Sequence, residues 1–178
     1  MLFRALTASL IAAALSSGAA YAQAPAPAAP SPADVVPEKM PWNNPYGAPI
    51  SAEKAEAAIK AAAAEAKKRG WPLNIAVVDS GANLVAFLRM DGAQTGSIAI
   101  SEHKARAAAK YRRPTKVFEE AIQKKDLKYL LTLDDIIASR GGIPLIEDGK
   151  IIGAIGCSGA TGSQDEVVCM AGAATINK

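Results

Sequence analysis

Residues 140–171 read RGGIPLIEDGKIIGAIGCSGATGSQDEVVCMA, and this stretch decides the fold. Two apolar runs, Ile143–Glu147 and Lys150–Cys157, are separated by the pair Asp148-Gly149. An Asp-Gly pair readily adopts the positive φ angles that a two-residue turn between antiparallel strands requires. The stretch therefore predicts a β-hairpin.

A glycine-rich loop, residues 156–162, follows the hairpin, and the S-x-x-E sequence from Ser163 to Glu166 predicts a helix that begins with a capping box. A loop of this kind before a helix can bind phosphate through backbone N–H groups. However, the loop lacks the glycine and lysine order of known phosphate-binding loops, and Asp165 and Glu166 bring negative charge to the helix start. The pattern is more typical of a structural turn that presents two carboxylates.

Working outward from this stretch, helical and strand patterns alternate along the chain. The predicted elements are a helix between Ser51 and Gly70, a hairpin of residues 73–79 and 83–90, a helix over residues 97–112, and a helix that Thr115 caps. Residues 127–139 are ambiguous, with a short strand near residues 136–138 as one interpretation. Two hairpins bracketed by helices predict an α+β domain with a mostly antiparallel sheet.

Residues 1–22 have the pattern of an export signal: Arg4 in a short positive region, an apolar run, and Ala20-Tyr21-Ala22 as an A-x-A cleavage site. The apolar run is shorter than the roughly 20 residues that a membrane span needs. We therefore expect cleavage after Ala22, no membrane anchor afterwards, and a periplasmic or secreted protein. Residues 23–49, rich in Ala and Pro, predict a linker, and residues 50–178 predict one domain.

Charge and cysteine content narrow the functional classes. The formal net charge of +3 comes from interspersed Lys and Arg, a pattern that gives little support to nucleic-acid binding. Cys157 and Cys169 fit neither a C-x-x-C redox motif nor a haem attachment motif. In an exported protein these two cysteines can form a disulfide, but the sequence alone leaves the pairing open.

His103 is the only histidine, and it lies on the predicted helix over residues 97–112. The basic residues near it are Lys104, Arg106, Lys110, Arg112 and Arg113. A neutral imidazole can bind iron, and guanidinium groups pair with carboxylates such as haem propionates. The same pattern also fits an ordinary solvated helix face. Ser101 and Lys104 form an S-x-x-K sequence, but the companion motifs of serine enzymes are absent.

Three segments resemble one family: AVVDSGANLVAFLRMDGA at residues 76–93, SEHKARAAAKYRRPT at residues 101–115, and SRGGIPLIEDGKIIGAIGCSGATGSQDEVVCMAGA at residues 139–173. They resemble the GlcG/HbpS family of haem-binding proteins, which is also related to the C-terminal domain of PduO-type proteins. The resemblance extends from Ser51 to the C-terminus. It implies a profilin-like sandwich with a central antiparallel sheet, assembly into homo-oligomers, and noncovalent haem binding linked to iron or redox handling.

The resemblance also implies a set of polar family positions that we expect to gather at one cleft. These positions are Arg89, Asp91, Ser97, Lys104, Thr115, Asp165 and Glu166. The resemblance does not imply an axial ligand for haem iron. The assignment of His103 as that ligand therefore depends on the chemistry of imidazole and on the residues near it.

Three hypotheses follow, and the first two assign a ligand to the protein. The first is an exported haem-binding protein, with His103 as the metal ligand and with Lys104, Arg106, Lys110 and Arg112 as cofactor-binding cations. The second is a binding protein or enzyme for a small organic acid or related metabolite, using the cleft positions. No catalytic residue is assigned under either hypothesis. A scaffold without its own chemistry is the third possibility.

Overall fold

The computed structural model describes residues 31–177. The predicted signal peptide, its cleavage site and the first part of the predicted linker lie outside these residues. The helices and strands are α1 (Ala52–Arg69), β1 (Asn74–Asp79), β2 (Leu84–Arg89), α2 (Ser97–Tyr111), α3 (Lys116–Lys125), β3 (Gly142–Glu147), β4 (Lys150–Ser158) and α4 (Gly162–Ala173), with short 3-10 turns at Pro32–Asp34 and Lys128–Thr132.

The four strands form one antiparallel sheet in the order β2-β1-β4-β3. Both predicted hairpins are present, and they join through β1 and β4, where Asn74 lies opposite Ser158. The predicted α+β class, with a central sheet of two hairpins flanked by helices, is confirmed. Among residues 31–177, no helix combines the length and the apolar character that a membrane crossing demands.

Helices cover the two faces of the sheet unequally. Alternate residues of β1, such as Ile75 and Val77, face α1 and α4 and form the larger apolar cluster. Ala76 and Val78 face the opposite side, where they pack with Ala105 of α2 in a smaller cluster of mainly alanine residues. The small side chains on this second face let α2 approach the sheet closely.

Local signals set the ends of α1 as predicted. The Ser51 hydroxyl accepts a hydrogen bond from the backbone N–H of Lys54, and Gly70 ends the helix in the left-handed conformation at φ 69°. Left-handed backbone at this position favours glycine because it has no Cβ.

The predicted capping box of the last helix is wrong by two residues. Thr161, not Ser163, caps α4, and its partner in the box is Gln164. Glu166 cannot close a box because its carboxylate faces Lys116 and Arg140 instead. The T-x-x-Q sequence from Thr161 to Gln164 is also a capping-box pattern, and it is the one that the helix uses.

Two further local predictions also differ from the structure. Thr115 precedes α3 but makes no side-chain capping bond, because its hydroxyl accepts the backbone N–H of Gly142 at 2.9 Å. Residues 136–138 form no strand, and the segment before them contains the 3-10 turn.

The end of the predicted linker packs on the sheet. The backbone of residues 45–50 runs beside β4, with Gly47 N–H donating to Ile151 O and Ile50 N–H donating to Ile152 O, both at 2.8 Å. The Tyr46 hydroxyl donates to the carbonyl oxygen of Lys110 at 2.7 Å, at the end of α2. These residues thus make ordered contacts with the predicted domain.

Candidate functional site

Helix α2 carries most of the predicted ligand residues, and two glycines fix its position. A Cβ at Gly156 would overlap the carbonyl oxygen of Ser101, and a Cβ at Gly142 would overlap the carbonyl oxygen of Lys104. The absence of side chains at these two positions lets the helix backbone lie directly on β3 and β4. The outward residues of α2 are thereby held on a rigid support.

His103 is a half-buried residue of α2 with an unused nitrogen. Within residues 31–177, its Nε2 atom is shielded from solvent and has no hydrogen-bond partner. The pKa of the neighbouring Asp135 carboxyl is held below its ordinary value, mainly by its hydrogen bond with Lys110. A buried polar nitrogen without a partner carries a free-energy cost that a ligand to that nitrogen would relieve.

The predicted propionate-binding cations extend along the same helix, and each has a partner. Arg106 pairs with Glu102 at 3.2 Å, and Lys110 pairs with Asp135. Arg112 donates to the backbone oxygen of Asn44 at 3.3 Å. The Arg106 and Lys110 side chains remain about one third and one half exposed, and such surface ion pairs contribute little free energy. Both cations can therefore exchange partners at small cost.

Lys104 points the other way, into the protein. Its side chain is 1% exposed, and its Nζ atom donates to Asp165 at 2.7 Å and to the carbonyl oxygen of Cys157 at 3.2 Å. Burial raises the pKa of Asp165, while the Lys104 ammonium and the N–H groups of Ala160 and Gly159 act in the opposite direction. The structure therefore separates Lys104 from His103 and joins it to the last helix.

Asp165 of the predicted cleft is a member of this buried pair, and Glu166 follows it on α4. Thr115 lies close to the backbone of Lys104, with Gly142 between them. Gly141, in the left-handed region at φ 115°, passes against the Lys104 and Asp165 side chains, where a Cβ would lie 2.9 Å from the Asp165 Cβ. The site needs glycine at this position both for its backbone conformation and for the missing side chain.

A second ion-pair network, which our sequence reasoning missed, lies next to Glu166. Arg140 pairs with Glu119 at 2.6 Å and approaches Glu166 at 3.4 Å, and Lys116 approaches Glu166 at 3.4 Å. Burial alone would raise the pKa of Glu119, but hydrogen bonds from Arg140 outweigh it and hold the pKa below its ordinary value. A signal was available, because Arg140 directly precedes the glycine pair of the fold-deciding stretch.

Arg89, Asp91 and Ser97 form a separate group from the Lys104 cluster. Ser97 is buried and accepts a hydrogen bond from Gln94 at 2.6 Å. Arg89 and Asp91 are exposed, and neither makes a side-chain hydrogen bond or ion pair within residues 31–177. Of the seven polar family positions, Lys104, Thr115, Asp165 and Glu166 lie together, Ser97 is buried at the start of α2, and Arg89 and Asp91 are exposed at and just after the end of β2.

The two cysteines form a disulfide that joins β4 to α4. Cys157 and Cys169 are fully buried, and their Cα atoms are 5.6 Å apart. The carbonyl group of Cys157 also accepts from Lys104. The disulfide and the Lys104–Asp165 pair therefore hold the same helix against the same strand.

Together these features define a class of protein: an α+β domain in which one helix packs on a sheet through two glycines. The helix carries a half-buried histidine, with a nitrogen that is unpaired within the described residues, and several partly exposed cations. Residues 31–177 contain no group of three or more His, Cys, Asp or Glu side chains suited to hold a bare metal ion. The cations along α2 suit a ligand that carries carboxylates.

Comparison with known proteins identifies the family. A sequence profile of the family described as "Haem degrading protein HbpS-like" matches residues 50–174. The chain belongs to this family, and the resemblance drawn from the three sequence segments is confirmed.

Relatives with known sequences or structures agree with this assignment. Protein GlcG of Escherichia coli (strain K12) is 42% identical over 109 residues, which cover 61% of this chain and 81% of GlcG. The crystal structure of a double mutant of Streptomyces reticuli HbpS is similar at a TM-score of 0.68 and 28% identity, covering 88% of this chain and 100% of that one. A crystal structure of a PduOC:heme complex has a TM-score of 0.65 and 23% identity, covering 72% of this chain and 96% of that one, and it supports the fold alone.

Proposed function

We propose that this protein is an exported haem-binding protein that holds haem noncovalently, with His103 as the ligand to iron. The observation that carries the proposal is the buried Nε2 atom of His103, which has no hydrogen-bond partner within residues 31–177. Membership of the HbpS-like family supports haem as the ligand class.

The residues around His103 fit a haem. A neutral imidazole nitrogen without a partner is a suitable iron ligand, and Ile100, 38% exposed, offers apolar surface one turn away. Arg106, Lys110 and Arg112 would bind the propionates by exchanging their present partners for haem carboxylates. A bound haem would supply an iron centre for redox chemistry or iron handling. Lys104, which the sequence placed in this set, has its ammonium committed to Asp165 and contributes to the fold instead.

Export and assembly are parts of the same proposal. We infer cleavage after Ala22, release into the periplasm or the medium, and assembly into a homo-oligomer. The mass of the protein recovered from the periplasmic fraction tests the cleavage site, and sedimentation of the mature protein tests the assembly.

A hemin titration tests haem binding. Purified protein titrated with hemin should show a saturable shift of the Soret band at micromolar concentration. His103→Ala should weaken binding at least about tenfold, which corresponds to the loss of about 1.4 kcal/mol or more of binding free energy. Added imidazole should restore the spectrum of His103→Ala, because the free base can take the place of the missing ring.

A matched control and a time course make the result specific. Lys128→Ala, at an exposed position outside α2, should bind hemin as the unmodified protein does. No Soret shift in the unmodified protein, or an equal shift in His103→Ala, would sink the assignment of His103. A Soret band that decays when a reductant is added in aerated buffer, with dioxygen as the oxidant, would indicate haem breakdown, which the family description names.

The second hypothesis is that a small organic acid binds at the cleft positions, and the burial of Lys104 argues against it. Lys104 is buried and paired, so a ligand cannot reach its ammonium without displacing Asp165. Arg89 and Asp91 remain exposed at the strand end. Haem binding is therefore the function that the geometry supports best.

A further inference from the structure

A cavity of about 370 Å³ lies away from His103, between α3 and the segment before α1. Its walls are mainly aromatic and aliphatic, and the apolar side chains that line it are Trp42, Val117, Phe118, Leu127, Tyr129 and Leu130. Trp42 holds its place in the wall with a left-handed backbone at φ 57°. A bulky residue seldom adopts this conformation unless the surrounding contacts enforce it.

One cation, Arg113, lies in the wall of this cavity. Its guanidinium carbon is 5.9 Å from the centre of the Trp42 ring and 5.7 Å from the centre of the Phe118 ring. Its Nε atom donates to the carbonyl oxygen of Tyr111 at 2.9 Å. Its two terminal nitrogens make no hydrogen bond or ion pair within residues 31–177.

This lack of an acceptor distinguishes Arg113 from the other half-buried arginines. Arg106, Arg112 and Arg140 each donate from a terminal nitrogen to an oxygen atom of Glu102, Asn44 or Glu166. Burial, and then the charge of Arg112, lower the pKa of Arg113, although a guanidinium stays charged in proteins. Arg113 is therefore a partly desolvated cation whose fork of donors has no acceptor.

The other charged residues in the wall do not supply an acceptor for the Arg113 guanidinium. Glu120 lines the cavity, but its carboxylate pairs with Lys124 at 2.9 Å. Lys125, also in the wall, adds positive charge. An anion that enters the cavity would meet net positive charge and an open guanidinium fork, which binds a carboxylate through two parallel hydrogen bonds.

We propose that this cavity binds an organic monocarboxylate with an aromatic tail, its carboxylate on Arg113 and its ring among Trp42, Phe118 and Leu130. The volume suits a ligand of one or two rings, since cavities of roughly 300 Å³ and more hold small organic molecules. This site is separate from His103, and the proposal does not depend on haem binding.

Titration calorimetry of the purified protein with 2-naphthoate tests the proposal, with 2-naphthalenemethanol as the uncharged analogue of the same ring. We expect saturable binding of the acid and at least about tenfold weaker binding of the alcohol. Quenching of Trp42 fluorescence, measured in a Trp71→Phe background, should follow the same binding curve.

Variants assign the binding to Arg113. Arg113→Gln should weaken naphthoate binding about tenfold or more, and Arg113→Lys should weaken it less because the charge remains while the fork is lost. Arg69→Gln is the matched control, because Arg69 also lies over a tryptophan ring, 5.1 Å from the centre of Trp71, but outside the cavity. Its affinity should stay unchanged.

A cavity-filling variant covers the case in which Arg113→Gln folds poorly. Ala121→Leu, on the helix wall, should abolish binding while circular dichroism shows an intact fold. Equal affinity for the acid and the alcohol, unchanged affinity in Arg113→Gln, or absence of saturable binding at millimolar naphthoate would each overturn the proposal.

Discussion

A buried ammonium group stabilises a fold only while its acceptors stay in place. Lys104, 1% exposed, has two acceptors: the Asp165 carboxylate and the carbonyl oxygen of Cys157. Three elements, α2, β4 and α4, meet at this one nitrogen. Removing either member of the pair leaves an uncompensated buried charge, which costs more than the pair itself contributes.

Asp165→Asn should therefore lower the free energy of unfolding by about 3 to 5 kcal/mol. Urea denaturation followed by circular dichroism measures the change. The double variant Lys104→Met/Asp165→Leu should recover part of the loss, since apolar side chains of similar size remove both charges together. A double variant less stable than Asp165→Asn would contradict this account.

Glu119 gives the protein a predictable response to acid. Its folded-state pKa lies below its ordinary value of 4.5, so its ion pair with Arg140 contributes fully above that pH and is lost as pH falls through the lowered pKa. Glu119→Gln should cost about 1 to 2 kcal/mol at pH 7 and much less at pH 3. Denaturation curves of both proteins at the two pH values test the sign, and an equal difference at both would refute it.

At the scale of elements, the contact between α2 and the sheet depends on glycine. Gly156→Ala would place a Cβ on the backbone of Ser101 and Ala105, neither of which can move without shifting the helix. We expect a loss of about 2 to 3 kcal/mol in the free energy of unfolding. Gly96→Ala, where a Cβ meets nothing within 4 Å, should change it by less than about 0.5 kcal/mol. Equal effects of the two variants would show that the close approach is not what glycine provides.

Elements whose signals are local could be predicted from the sequence. The Asp148-Gly149 turn and the Ser51 and Gly70 ends of α1 all depend on neighbouring residues, and all are present in the structure. The start of α4 was misplaced by two residues, because T-x-x-Q from Thr161 and S-x-x-E from Ser163 are overlapping capping-box patterns. The choice between them depends on Glu166, which is engaged by Arg140, 26 residues away. Long-range pairing of this kind leaves no periodic pattern in the sequence.

The candidate site was predicted in the same uneven way. His103 was identified by its chemistry, and the structure adds that its Nε2 atom lacks a partner. In the sequence, Lys104 resembles the other basic residues of its helix. Its buried position could not be predicted, because its acceptor, Asp165, is 61 residues further along the chain. The Arg113 cavity escaped prediction since Trp42 belongs to a segment with no regular pattern.

At the scale of the whole molecule, the segment before α1 belongs to the stable unit. Residues 45–50 bond to β4 beyond the end of β1, Ile50 is 5% exposed, and Tyr46 bonds to the end of α2. Removal of residues 1–50 should lower the free energy of unfolding by at least about 3 kcal/mol, from lost apolar burial and lost hydrogen bonds. Removal of residues 1–40 keeps these contacts and serves as the control. If both truncated proteins melt at the same temperature, residues 41–50 contribute nothing to the stability of the fold.

The glycines beneath α2 also bear on how such a domain can diversify. Substitutions of Gly142 or Gly156 would place a side chain on the backbone of α2 and are penalised whatever the ligand. Partly exposed positions on the outer side, such as Ile100 and Arg106, can change without disturbing the sheet beneath them. A lineage that keeps this support can therefore acquire a different ligand through a few outward substitutions on one helix, and engineering a new binding specificity should begin at those positions.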